Sequence, residues 1–490
     1  MKETAVIGAG IGGLATAIRL AIAGHTVHLF ESNNHAGGKI NKLQLGDYRF
    51  DMGPSVFTAP EYIKELFELC KEDFSQFEYE KLSCPFHYFF PDGQKIIVPD
   101  TAEEIGICFE KELGEDKNTV INYLNKASVN YKRITPLFIE RSLHRWRHLL
   151  TNKLIAALWG IPKYRLSKTM HEENKSVFKH SKTHQIFNRF ATYNGSDPYQ
   201  APAMLNMIQH LEMVDGVFLP KKGMVQIADA LYELAKKQGV HFYFNEPVER
   251  IHLVENKNRI KGLTTNKKKY RFDAIFSNMD VSYTYEKLMP EAPRPEKILN
   301  QEKSSSAMVF YWGIKEQFPE LGVHNMFFSD NYKAEFDAIF KTKTLAADPS
   351  IYVHITAKNI RTDAPTGKEN WFVMINVPIN NDQNWEDYRQ KAKKTIIKTL
   401  SKALKKDISP LIEEEFVMDP VYIDKKYNGK FGSIYGNASN NKFSAFYRHP
   451  NYSKKIKGLY FAGVTVHPGG GIPLALNSAK IAVKCFQEDL

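Results

Sequence analysis

Two glycine clusters far apart in the chain carry the spacing that could do chemistry. In the first, Gly8, Gly10 and Gly13 form a GxGxxG pattern, with Gly12 as an extra glycine. One such glycine permits a tight turn, another lets the backbone approach a pyrophosphate, and the third lets a helix lie close on a strand. Glu31 follows where a carboxylate accepts hydrogen bonds from a ribose diol. In the second cluster, Gly469, Gly470 and Gly471 stand between Pro468 and Pro473. They leave backbone N–H groups unshielded at a helix start, where an exposed anion gains about 0.3–1 kcal/mol. One cluster therefore suits phosphates, and the other suits a negative charge that develops during reaction. No Ser/His/Asp or Cys/His spacing, HExxH motif or metal-ligand cluster stands out. That pattern points to a bound cofactor as the main reactive group.

These residues need particular elements to position them. "TAVIG" predicts a short buried strand over 4–7, "GGLATAIRLAIAG" a helix stopped at Gly24, and "HTVHLFE" a second strand ending on Glu31. The strand–turn–helix–strand context makes the glycine pattern a dinucleotide signature. Toward the other end, "GLYFAGV" predicts a strand over 459–464, then a loop over 465–472, then a helix with Pro473 in its first turn. Between them, Gly223 opens a helix that ends near Gly239. Short strands with a turn at 256–258 follow, and "DAIFSN" predicts one more strand.

Composition narrows the class. The 490 residues are 43% hydrophobic and 25% charged, ordinary for a globular protein. No run of about 18 apolar residues suggests a spanning helix, and the first residues lack a signal-peptide pattern. Cys70, Cys84, Cys108 and Cys485 are scattered, which fits a reducing cytoplasm better than a disulfide or zinc scaffold. The net charge of +11 is concentrated in residues 131–189, where thirteen Lys and Arg face three acids. There, Trp146, Leu150 and Leu154 recur at helical spacing opposite Arg141, Arg145, His148 and Asn152, with Trp159 nearby. Two uses remain open: packing within the protein with a solvated basic face, or docking on an anionic membrane. Nucleic acid is not expected as a partner, since no helix-turn-helix, zinc-finger or RRM signature appears.

Further motifs carry a resemblance. "HAGGKI" places Gly37, Gly38 and Lys39 shortly after Glu31, and "YRFDMGPSVF" supplies Asp51, Gly53, Pro54 and Ser55. With GxGxxG and the downstream acid, these resemble the FAD-binding amine oxidase and phytoene desaturase superfamily. "FAGVTVHPGGGIP" resembles more narrowly the carotenoid desaturases of bacterial and fungal type. Within these, "GAGIGGLATAIRLAIAGHTVHLFESNNHAGGK" with "YRFDMGPSVFTAP" is most similar to the 1-hydroxycarotenoid 3,4-desaturases. A phytoene-to-lycopene desaturase is the near alternative. A flavin amine oxidase and a non-catalytic Rab-escort-like protein are more distant ones.

The resemblance implies an α/β, two-domain flavoprotein. A Rossmann-like FAD-binding domain with a parallel sheet would comprise residues 1–85, 215–290 and 440–490. A substrate domain of antiparallel sheet and helices would comprise 86–130 and 291–439, with 131–214 as its helical, basic, membrane-facing part. FAD would be held without a covalent link by Gly8, Gly10, Gly12, Gly13, Glu31, Gly37, Gly38, Lys39, Asp51, Gly53, Pro54 and Ser55. Val248 would meet the adenine, and Gly463, Thr465, Gly470, Gly471 and Ile472 the ring. The implied reaction makes a C=C bond in a C40 polyene, one hydrogen leaving as hydride to flavin N5 and the other as a proton. His467 is the one candidate for that proton, and Phe57, Phe310 and Trp312 are candidate lining residues of an apolar tunnel. Oxygen or quinone would re-oxidise the flavin, and no metal is implied. The expected location is the cytoplasm, at the inner face of the cell membrane, with Trp146, Leu150, Leu154 and Trp159 as membrane contacts.

Overall fold

The computed structural model describes residues 1–145, 167–256, 258–441 and 447–490. Its first sheet has five parallel strands in the order Leu459–Phe461, Ala274–Ser277, Glu3–Ile7, Thr26–Phe30 and His241–Tyr243. Strands from three distant stretches thus lie side by side. Their inner residues form near-continuous apolar runs because helices cover the sheet. Helices Ile11–Ile22, Val225–Lys237 and Ile472–Asp489 bury Leu14, Ile18, Leu231 and Ala479 in one cluster with Val6 and Phe276. The predicted strand over 459–464 ends early, at Phe461, because Gly463 takes φ +120° and turns the chain.

The second sheet has seven strands and is antiparallel except for one pair. Its order is Ile412–Met418, Ser306–Ile314, Glu369–Val377, Ile351–His354, His324–Phe327, Phe86–Phe89 and Lys95–Val98. The exception is Phe86–Phe89, which runs parallel to His324–Phe327. The strand Ser306–Ile314 is buried along its whole length, so both faces are covered. Met308, Phe310, Trp312 and Ile314 pack toward helix Trp385–Leu404, with Trp371, Ile396 and Leu400. Ala307, Val309 and Tyr311 belong to the other cluster, with Phe190 and Met213 from the helical segments. The hairpin Asn41–Leu45/Tyr48–Met52 also enters that second cluster through Tyr48, Phe50 and Met52. Among the described residues, no helix is long and apolar enough to cross a membrane.

Candidate active site

The first glycine cluster forms a tight elbow between the strand Glu3–Ile7 and the helix Ile11–Ile22. A Cβ on Gly13 would lie 2.0 Å from the Gly8 carbonyl oxygen, so only glycine lets the helix pack back on the turn. The Ala9 N–H donates to Glu31 at 2.8 Å, and the Gly37 N–H donates to the Ala9 carbonyl at 2.8 Å. Glu31 also accepts from the Asn33 N–H at 2.9 Å and from Asn33 Nδ2 at 2.7 Å. Asn278, which the sequence reading passed over, closes this end. Its N–H donates to Ile7 at 2.8 Å, and its Nδ2 donates to the Ala462 carbonyl at 3.0 Å. A Cβ on Gly12 would meet Asn278 Nδ2 at 2.7 Å and Gly463 Cα at 3.2 Å. Asn278 was accessible to sequence reasoning in one respect: it follows "DAIFS" at the carboxyl end of a parallel strand, where ligands bind in open α/β sheets.

A cavity of about 880 Å³ starts at this elbow. Its wall takes in Gly8, Gly10, Gly12, Glu31, Gly37, Gly38, Lys39, Gly53, Pro54, Ser55, Val248, Gly463, Thr465, Gly470, Gly471 and Ile472. Gly13 stands behind the elbow. Asp51 is off the wall too: it pairs with Arg49 at 2.5 Å and accepts from the Met224 N–H at 2.8 Å. Arg49 reaches on to Asp363 at 3.0 Å, so Asp51 ties the hairpin to the start of helix Val225–Lys237 and does not line the cavity. Lys39 Nζ donates to the Ile434 carbonyl at 2.9 Å. Burial pulls its pKa down to about 8, with Asp280 opposing the shift. Asp280 is on the wall, its carboxyl pushed up by burial and held down by Lys303.

The same cavity continues into an apolar chamber walled by Ile134, Met204, Met207, Val309 and Met374. Phe57, Phe310 and Trp312 are not on it. Side chains along a strand alternate between faces, and Phe310 and Trp312 fall on the face turned to helix Trp385–Leu404. Phe57 packs edge-on with Phe77, Tyr79 and Phe218. Polar groups interrupt the chamber at two points. Arg189, 2% exposed, pairs with Glu212, donates to Tyr88 Oη at 2.9 Å, and sits over the rings of Phe86 and Phe190 at 4.4 and 4.6 Å. Ser55 Oγ and Tyr352 Oη share a hydrogen bond of 2.9 Å, and Tyr352 Oη lies 2.7 Å from His324 Nδ1.

His467 does not face the cavity. Its Nε2 donates to the Arg141 carbonyl at 2.8 Å, and burial lowers its pKa to about 3, so it is a neutral strut and not a proton carrier. The basic segment is also partly consumed inside the protein. Arg145 pairs with Glu488 at 3.1 Å and Asp489 at 2.7 Å, Lys182 pairs with Asp92, and Arg189 is the buried partner of Glu212. Trp146, Leu150, Leu154 and Trp159 lie outside the described residues.

The second glycine cluster starts the helix Ile472–Asp489, with Gly471 at φ +104° as its N-cap and no side chain capping it. Residues 11–485 match the model of the family described as flavin containing amine oxidoreductase. The chain belongs to this family. This flavin oxidoreductase is 46% identical to a 1-hydroxycarotenoid 3,4-desaturase of a Flavobacterium species, over 98% of both chains. It is 32% identical to a 4,4'-diaponeurosporene oxygenase of Staphylococcus aureus, over 99% of this chain and 98% of that one. Its fold is similar to cyclohexylamine oxidase from Brevibacterium oxydans, with TM-score 0.62 at 14% identity, over 100% of this chain and 99% of the other. The glycine elbow, Glu31 and Val248 line the cavity, as do Lys39, Gly53, Pro54 and Ser55 and, from the loop before the last helix, Thr465, Pro468, Gly470, Gly471 and Ile472.

Proposed function

We propose that this flavin oxidoreductase is a FAD-dependent carotenoid desaturase acting on the 3,4 bond of a 1-hydroxycarotenoid such as hydroxylated γ-carotene. The observation that carries the reading is continuity: one cavity joins the glycine-walled nucleotide end to the apolar chamber. A long polyene in that chamber would lie against the cofactor without leaving protein. The likeness to the Flavobacterium desaturase supports the choice of substrate. Bound FAD supplies the two-electron oxidant. The glycine elbow and Glu31 would hold its dinucleotide, and the Thr465–Ile472 loop its ring. Non-covalent binding is supported by the wall itself, on which no Cys or His appears among the described residues.

The remaining residues of the chain position the substrate. Ile134, Met204, Met207, Val309 and Met374 exclude water and fit an apolar rod. A hydroxyl on C1 stands close to the C3–C4 bond, so its receptor has to lie beside the reacting position. Ser55 Oγ and Tyr352 Oη, next to Gly53 and Pro54 on the wall, supply donors and acceptors there. In this reading segments 1–85, 215–290 and 440–490 hold the cofactor, and the rest shapes the chamber. The basic 131–189 segment would dock on an anionic leaflet from which the substrate enters, with oxygen or quinone as the final acceptor.

Anaerobic mixing with 1-hydroxylated γ-carotene tests the activity. Flavin bleaching together with a red shift of the polyene is expected, and little change with phytoene. Bleaching with phytoene alone would move the assignment to a phytoene desaturase. Sedimentation with anionic liposomes at low salt tests docking, which fails if the protein stays in solution.

A further inference from the structure

Arg448 is a buried cation that the chain itself does not neutralise. It is 3% exposed and stands on the cavity wall. Among the described residues, its one hydrogen bond runs from Nη1 to the Tyr435 carbonyl at 3.4 Å. No ion pair reaches it among the described residues, and the stretches outside them, 146–166, 257 and 442–446, contain no Asp or Glu. Burial alone acts on the guanidinium, lowering its pKa to about 10. It packs on the second glycine cluster, where a Cβ on Gly469 would come 3.1 Å from its Cζ. Three residues later the helix Ile472–Asp489 begins, with no acid in its first turn and no side chain on its free N–H groups. A guanidinium and a helix N-terminus therefore converge with no negative charge between them. The other cations near the wall differ, since Asp280 acts on both Lys39 and Lys303.

We propose that Arg448, together with the N-terminus at Gly471, is the counter-charge for the reduced flavin ring. The substrate gives up a hydride and a proton. Uptake of the hydride, two electrons and one proton, adds one negative charge to a neutral ring, and Arg448 is the unpaired cation available to meet it. This inference rests on flavin binding and not on the identity of the carotenoid.

The test uses Arg448→Met, Arg448→Gln and Arg448→Lys in flavin-loaded protein, with no carotenoid present. Sulfite is the probe, because its addition to an oxidised flavin also leaves the ring negative. Loss of the charge should weaken sulfite binding at least tenfold. It should lower the two-electron midpoint potential by a matching tenfold, or about 30 mV. Arg448→Lys should keep most of both. In flavin-free protein, Arg448→Met and Arg448→Gln should melt at or above the wild-type temperature, since each removes an unpaired buried charge. Unchanged sulfite affinity and potential in the two neutral variants would overturn the proposal. So would their failure to fold, which would make Arg448 a structural post. A protein inactive on carotenoids that still shows the shifts would sink the substrate and leave Arg448 standing.

Discussion

Arg189 and Arg448 stand on the wall of one cavity, both almost fully buried, yet the protein treats them differently. Arg189 is neutralised by Glu212, which also takes a hydrogen bond from Tyr193, and is boxed by Phe86, Tyr88 and Phe190. Arg448 has a lone carbonyl at 3.4 Å. Burying a charge costs heavily unless it is paired. The chamber side therefore balances its charge with a residue of the chain, and the glycine-loop side leaves the balance to a ligand. One arginine builds the wall, and the other waits on chemistry.

Breaking the Arg189 pair should have the largest effect. Glu212→Gln leaves the guanidinium uncompensated and should cost about 3–5 kcal/mol, equally with and without flavin. Denaturant unfolding of both forms checks this. A loss below about 1 kcal/mol would show that the aromatic box carries the charge unaided and would erase the contrast with Arg448.

Acid should come next, because it adds charge on the side already positive. Burial lowers His467 to about 3 and His449 to about 4, from an ordinary 6.5. A folded-state pKa below the unfolded one means the stabilisation is complete above pH 6.5 and is lost as pH falls toward 4 and 3. Each group contributes on the order of 3 kcal/mol across that window. Melting temperature should drop steeply from pH 6.5 to 4, and His467→Asn should flatten the curve. An unchanged slope in that variant would remove His467 from the account.

The contrast also explains what could be read from the sequence. The glycine elbow was legible because the positive φ of Gly8 and the close helix packing at Gly13 demand glycine there, and Glu31 follows within one strand–helix–strand unit. The parallel sheet followed from the same unit. The chamber was not legible, because period-two alternation reports two faces of Ser306–Ile314 without saying which one meets the cavity. Phe310 and Trp312 were the bulkier choice, and the cavity took Ala307 and Val309. Counting charges within one segment does not reveal partners that lie elsewhere in the chain. The partners of Arg145 and Lys182 are Glu488, Asp489 and Asp92, all outside the basic segment.

The two faces of Ser306–Ile314 can be separated directly. Val309→Phe fills the chamber and should lower kcat/KM for the carotenoid about tenfold, or about 1.4 kcal/mol, with flavin content unchanged. Phe310→Leu should cost about 1 kcal/mol of stability and leave kcat/KM of the folded enzyme alone. The reverse pattern would place the substrate on the other face.

Tyr352→Phe sharpens the picture at the smallest scale. Tyr352 Oη bridges Ser55 Oγ and His324 Nδ1, and Ser55 directly follows the Gly53–Pro54 turn. Burial lowers the pKa of His324, so the ring is neutral and can accept as well as donate. A substrate hydroxyl entering here would join an existing hydrogen-bonded chain without adding charge. Losing one such bond is worth about 1 kcal/mol, or about fivefold. The variant should lose about that factor in preference for the 1-hydroxylated carotenoid over its unhydroxylated parent, while turnover of the parent stays the same. Equal losses on both substrates would instead mean that Tyr352 shapes the chamber, and the hydroxyl would have to be met from the Arg189 side, where Tyr193 also lines the wall.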